Sequence, residues 1–281
     1  METIQRALDL AARQRGAAGV ASHAANGDGG DFAVPGAPEK AAPRRDFSAA
    51  PSHPASRLAV DWQALRESRV VDRDDQRPAA QAYRMLRTQV LQRARAHRIS
   101  TIGVVSAANG EGKTLTAINL ALSLAAEPNQ SVLLMDLDLR RPSVAQVLRL
   151  PLERGLEAWF SGQAKLEEVW HALDGVDRLS VMPTLAPVPA SSEALAAAST
   201  AKLLQDLKAR DPGRITIVDL PPALQSDDAL MLAPQLDGVV LVVTEGRTRR
   251  ADVSRVLELL GNTRVIGTVL NRSTESERRG Y

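Results

Sequence analysis

Cysteine is absent from all 281 residues, so a disulfide, a thiolate metal site and a cysteine nucleophile are excluded. Aromatic residues are scarce, with three Trp, three Phe and two Tyr. Platforms on which bases could stack are therefore missing, and so is a basic stripe. Neither sign of charge dominates, since 35 Lys and Arg face 33 Asp and Glu. The first 60 residues hold seven basic and six acidic side chains, which excludes a polybasic arm. Charge thus nominates no nucleic acid and no anionic membrane as a partner. No run of about 18 apolar residues exists to span a bilayer, and the N-terminus lacks a secretory apolar region. The expectation is a soluble, cytoplasmic chain. The four histidines, His23, His53, His97 and His171, show no metal-ligand spacing.

What is present divides the chain. Residues 3 to 15, "TIQRALDLAARQR", put Ile4, Ala7, Leu8 and Ala11 on one helical stripe, a short helix that needs a partner. Residues 16–65 are read as a disordered linker, because a stretch rich in Ala, Gly, Pro and Ser buries too little apolar surface to offset its ordering entropy. Residues 66–281 then form one domain, opened by a helical segment from Ala79 to His97. Apolar runs resembling buried parallel strands follow at Thr101–Ser106, Val132–Met135, Leu179–Met182, Ile215–Val218, Val239–Val243 and Val265–Leu270. Helical patterns lie between most of them, at 113–126, 142–149, 164–173, 199–210 and 251–261. This rhythm predicts an α/β fold, a mostly parallel sheet with helices on both faces.

"SAANGEGKTLT", residues 106 to 116, joins a strand to a helix through small residues. Unpaired N–H groups and a helix dipole converge there, which makes an anion site. Gly110 and Gly112 let the backbone turn and approach a phosphate. Lys113 reaches the β- and γ-phosphates, and the Thr114 hydroxyl ligates Mg²⁺. The nucleotide-binding set is Asn109, Gly110, Glu111, Gly112, Lys113, Thr114 and Leu115; Ala107 stands where the usual pattern starts with Gly. Two more strands end in carboxylates on the same edge. "VLLMDLDLR" supplies Asp136 and Asp138, followed by Arg140, and "ITIVDLPP" supplies Asp219. Strand-terminal aspartates beside a nucleotide loop suit Mg²⁺, a hard cation that prefers oxygen ligands.

The three motifs together resemble the Walker A, A′ and B set of the bacterial tyrosine kinases, P-loop autokinases that govern capsule and exopolysaccharide synthesis. The likeness runs from about Ala79 to Asn271. It implies ATP and Mg²⁺ as cofactors, with Thr114, Asp136 and Asp219 around the metal. It also implies Lys113, Asp136, Asp138 and Asp219 as the catalytic group, Asp136 orienting or deprotonating a tyrosine hydroxyl and Asp138 supporting it. Asn271, at the end of the last strand, is implied to contact adenine. The related partition and division-site ATPases carry a signature lysine where this chain has Ala108, which favours the kinase branch. "QAYRMLR" resembles the family's E-x-x-R-x-x-R oligomerisation helix, with Gln81 in place of Glu and with Arg84 and Arg87 retained, so a homo-oligomer is expected. A membrane-embedded polysaccharide co-polymerase is the implied activator, recruiting the chain to the inner face of the membrane. The implied phosphoacceptor is Tyr281. Residues 272 to 281, "RSTESERRGY", are polar and reach at most about 33–36 Å when extended. A non-kinase P-loop ATPase switch, assembling with a membrane partner, shares every loop residue and is the alternative.

Overall fold

The computed structural model describes Pro54 and residues 56–273. The N-terminal stripe at Ile4, Ala7, Leu8 and Ala11, most of the linker, and the tail bearing Tyr281 lie outside the described residues.

One eight-stranded sheet organises everything else. Its strands are β1 (Ser56–Leu58), β2 (Thr101–Ser106), β3 (Val132–Asp136), β4 (His171–Leu173), β5 (Val176–Met182), β6 (Ile215–Asp219), β7 (Gly238–Thr244) and β8 (Val265–Asn271). In space they run β1-β4-β5-β3-β6-β2-β7-β8. Every pairing is parallel except β4 with β5. Strands β2, β3, β6 and β7 are buried along their whole length, which explains why they read as unbroken apolar runs rather than as alternations.

One face carries α1 (Trp62–Glu67), α2 (Pro78–His97) and α3 (Lys113–Ala125). Val90, Leu91, Ile118 and Leu122 from these helices share a core with Ile102, Val104, Leu134, Ile217 and Val240. The other face takes α7 (Ala198–Arg210) and α9 (Arg250–Leu260), which bury Leu203, Leu207, Val253 and Val256. On that side a methyl group at Gly103 would meet Leu220 and Leu236 side chains at 2.7 and 2.8 Å, so the sheet is tightly covered there too. Four short helices sit at loops: α4 (Val144–Val147), α5 (Leu156–Phe160), α6 (Ser191–Ala196) and α8 (Asp228–Leu232).

Two boundaries depart from the sequence reading. Ordered structure begins inside the expected linker: β1 pairs with β4 at the sheet edge and α1 starts at Trp62, capped by the Asp61 carboxylate on the Ala64 N–H. Apolar burial of Leu65 and the cap outweigh the bland composition upstream. The expected helix at 164–173 is a 3₁₀ turn, Leu166–Val169, followed by β4. Asp174 and Gly175, with Gly175 at φ 82°, form a two-residue hairpin turn between Leu173 and Val176. Turn chemistry overrides the apolar spacing there.

Candidate active site

The carboxyl ends of β2, β3 and β6 meet at one place. Val104 is the register partner of Asp219, and Asp219 is the partner of Asp136, so two carboxylates stand side by side on adjacent strands. Both are fully buried. β2 runs into the small-residue loop and α3 begins at Lys113. Gly110 and Gly112 have φ of 75° and 88°, the left-handed region that a glycine enters without penalty. A side chain at Gly112 would also strike the Asn271 amide.

Lys113 turns its ammonium onto the strand-end acids. Its Nζ lies 2.6 Å from Asp138 Oδ2 and 3.6 Å from Asp219 Oδ1, and it donates to Thr114 Oγ1 at 3.3 Å. Burial opposes the lysine charge, but Asp219 and Asp138 outweigh it and raise the ammonium's pKa. Asp219 has neither oxygen hydrogen-bonded among the described residues. Its burial pushes the carboxyl up to about 6, against the pull of Lys113. A fully buried carboxylate without hydrogen bonds is costly, so this one is kept for something it would bind. Thr114 Oγ1 also accepts the Ser143 hydroxyl at 3.1 Å. Among the described residues no three His, Cys, Asp or Glu side chains cluster as a metal cage. One orphaned carboxylate and one hydroxyl still fit Mg²⁺, which keeps several of its own waters and binds substrate phosphates.

Asp136 is held by three backbone donors. Oδ2 accepts the N–H groups of Ser143 and Val144, both at 2.9 Å, and Oδ1 accepts that of Asp138 at 3.2 Å. Burial and the neighbouring Asp219 charge push its pKa well up, against those backbone donors. It therefore fastens the 137–144 loop, and Asp138 is the carboxylate carried on that loop to face Lys113. Arg140 ties the same loop outward, to Ser191, Asp227 and Asp228.

The remaining expected residues are also placed. Glu111 is buried, and its carboxylate accepts the Ala108 N–H at 2.9 Å and the Thr248 hydroxyl, so it braces the loop internally. Asn109 gives its N–H to Gln225 Oε1 at 3.2 Å. Leu115 packs on the core. Asn271 directs its amide to the Glu111 carbonyl at 2.9 Å, which braces the loop. Arg84 and Arg87 are engaged within the chain: Arg84 bonds the Asp75 carbonyl, while Arg87 pairs with Glu127 at 3.0 Å. Gln81 is exposed on the same helix. Sequence reading missed Ser143, Thr244, Arg247, Thr248 and Arg272, because each contact bridges distant segments; Arg247 and Gly110 are 137 positions apart.

The sequence model of the family described as "ParA: NUBPL iron-transfer P-loop NTPase" matches residues 98–277. The tyrosine-protein kinase CpsD of Streptococcus agalactiae is 31% identical over 62% of this chain and 76% of its own length. The chain belongs to the bacterial tyrosine-protein kinases. The succinoglycan biosynthesis transport protein ExoP of Rhizobium meliloti is 33% identical over 64% of this chain, which spans 23% of that longer protein. Among solved structures, the kinase domain of the Escherichia coli tyrosine kinase ETK aligns with a TM-score of 0.61 at 25% identity, over 81% of this chain and 94% of that one. In this family member the loop lysine, the A′ aspartates and the B aspartate form one buried cluster at the sheet edge. No helix among the described residues is long and apolar enough to cross a membrane.

Proposed function

We propose that this chain is an ATP-dependent protein-tyrosine autokinase that phosphorylates its own terminal Tyr281 and thereby regulates exopolysaccharide or capsule synthesis. One observation carries the reading: the buried Lys113 ammonium sits between Asp138 at 2.6 Å and Asp219 at 3.6 Å, beside the Thr114 hydroxyl. Lys113 turns from these acids to the β- and γ-phosphates of ATP. That turn releases Asp138 to accept the phenolic proton. The phenol oxygen then forms a bond to the γ-phosphorus as the bond from that phosphorus to the β–γ bridging oxygen breaks, and ADP leaves. Thr114 and Asp219 would hold Mg²⁺, which would supply charge neutralisation on the phosphates. Asp136 keeps the loop bearing Asp138 in place. The polysaccharide context rests on ExoP, whose name is that of a succinoglycan biosynthesis transport protein. A membrane-embedded co-polymerase as activator is part of the same proposal.

Mass spectrometry after incubation with Mg²⁺–ATP tests it, comparing wild type, Lys113→Met and Tyr281→Phe in the presence of an activator segment. Phosphate on Tyr281 that disappears in the Lys113 variant is expected. ATP hydrolysis without any phosphotyrosine would replace the kinase with an ATPase switch.

A further inference from the structure

The phosphate loop is held from behind, by its carbonyl oxygens. The Asn109 oxygen accepts Arg247 Nη2 at 3.0 Å. The Gly110 oxygen accepts Arg247 Nη1 at 3.3 Å and Arg272 Nη2 at 3.1 Å. The Glu111 oxygen accepts the Thr244 hydroxyl at 3.0 Å and the Asn271 amide at 2.9 Å. Three successive carbonyls are thus capped, all by residues at or just beyond the ends of β7 and β8. In a trans peptide the N–H points opposite to its C=O. Capping these oxygens from outside therefore turns the N–H groups of Gly110, Glu111 and Gly112 the other way. The Gly110 and Gly112 N–H groups donate no hydrogen bond among the described residues. Two of the caps are cations. A cation on a carbonyl polarises the peptide unit and strengthens its N–H as a donor.

We infer that Arg247 and Arg272 are positioning residues for the nucleotide's phosphates, acting through the loop carbonyls and not by touching the nucleotide. The inference rests on the nucleotide reading of this loop and deepens it. Arg247 spans two carbonyls with one planar fork, a geometry that a lysine does not reproduce. Arg272, at φ 57°, holds a left-handed backbone that few non-glycine residues adopt, and its N–H is fixed on Asn271 Oδ1 at 2.9 Å. Both features place a charge against the loop without bringing one into it.

Binding of the full chain, without phosphoryl transfer, tests this separately from the kinase reading. Calorimetry with ADP and with pyrophosphate, and displacement by adenosine, would be run on wild type, Arg247→Ala, Arg247→Lys and Arg272→Gly. The last of these keeps the left-handed backbone. Affinity for ADP and pyrophosphate is expected to fall roughly 3- to 10-fold in each variant, while adenosine binding and the melting temperature hold. Arg247→Lys should remain weaker than wild type. Full recovery with lysine would show that charge alone acts, and an equal loss for adenosine would show contact with the nucleoside. Unchanged ADP affinity would show that the caps do nothing for the phosphates. Any of these three results overturns the inference.

Discussion

Asp219 and Asp237 sit at opposite edges of the sheet and are treated oppositely. Asp219 closes β6 at the carboxyl edge, and Asp237 precedes β7 at the amino edge; both strands flank β2. Asp237 is fully partnered. Its Oδ2 accepts the N–H groups of Ser100 and Thr101 at 2.8 and 3.0 Å, and its Oδ1 accepts Lys208 at 2.6 Å. Burial works against its charge, but Lys208 and the two backbone donors prevail and hold the carboxyl down at about 2. Asp219 has Lys113 at 3.6 Å and no donor within hydrogen-bond distance among the described residues, and burial keeps it at about 6. The difference separates two uses of an acid shielded from water, Asp219 wholly and Asp237 in part. Donors that converge on a carboxylate use it for stability, whereas a carboxylate left without them is reserved for a cation or a reacting group.

The sharpest way to break this comparison is Asp219→Asn. Asparagine removes the desolvation cost of a fully buried carboxylate, and Lys113 keeps Asp138 at 2.6 Å as its ion-pair partner, so the melting temperature is expected to stay close to that of wild type. Phosphoryl transfer should fall by about 10²–10³-fold, the scale of losing one electrostatic contact at a reacting centre. Thermal denaturation beside a phosphotransfer assay checks both. A clear loss of stability would make Asp219 as structural as Asp237.

Asp237→Asn should give the converse, a smaller effect confined to stability. The folded pKa of about 2 lies below the ordinary aspartate value near 3.9. The sign follows: the contribution is complete above about pH 4 and is lost as pH falls towards 2. With Lys208 45% exposed, solvent screening reduces the gain to about 1 kcal/mol. Urea denaturation from pH 7 down to pH 2 is expected to show wild type and variant converging at the acid end, with nucleotide affinity equal at pH 7. A variant as stable as wild type at neutral pH would remove the structural half of the comparison.

The same two acids show what local sequence can and cannot reveal. Asp219 was legible because "ITIVD" is an apolar strand that ends abruptly before Pro221, and because Lys113 and Thr114 mark the same edge. The central strands were legible for the same reason, being buried on both faces. Asp237, in "QLDGVV", carries no local sign that Lys208 and the Ser100 amide will meet it. The roles of Asp136 and Asp138 were likewise not separable by spacing, since only the fold of the 137–144 loop brings the Ser143 and Val144 N–H groups onto Asp136. Strands β1 and β4 escaped notice because three residues are too few for a period to show. Contacts across more than a hundred positions, such as Arg247 on the phosphate loop, have no signature in either segment.

Glu127 supplies a third, milder case and the smallest expected effect. It is a partly exposed acid that meets Arg87 at 3.0 Å, with side chains 34% and 19% exposed. The Arg87 guanidinium also donates to the Ser123 carbonyl at 3.3 Å, so it joins α2 to the end of α3. Arg84 bonds the Asp75 carbonyl at 3.0 Å. The family resemblance assigns this pair to contacts with a neighbouring subunit, whereas the observed partners belong to the same chain. An ion pair this exposed is worth about 0.5 kcal/mol, and the carbonyl bonds add little more. The Arg84→Ala/Arg87→Ala double variant is therefore expected to lose about 1 kcal/mol of stability in urea denaturation. Its assembly state by light scattering should match wild type if these arginines serve α2 and α3 alone. A wild-type oligomer that dissociates in the double variant would show that the two side chains exchange their internal partners for acidic groups on a second copy. Glu127→Gln separates the outcomes: it removes the internal partner and spares both arginines, so it should cost the same fraction of a kcal/mol and leave any oligomer intact.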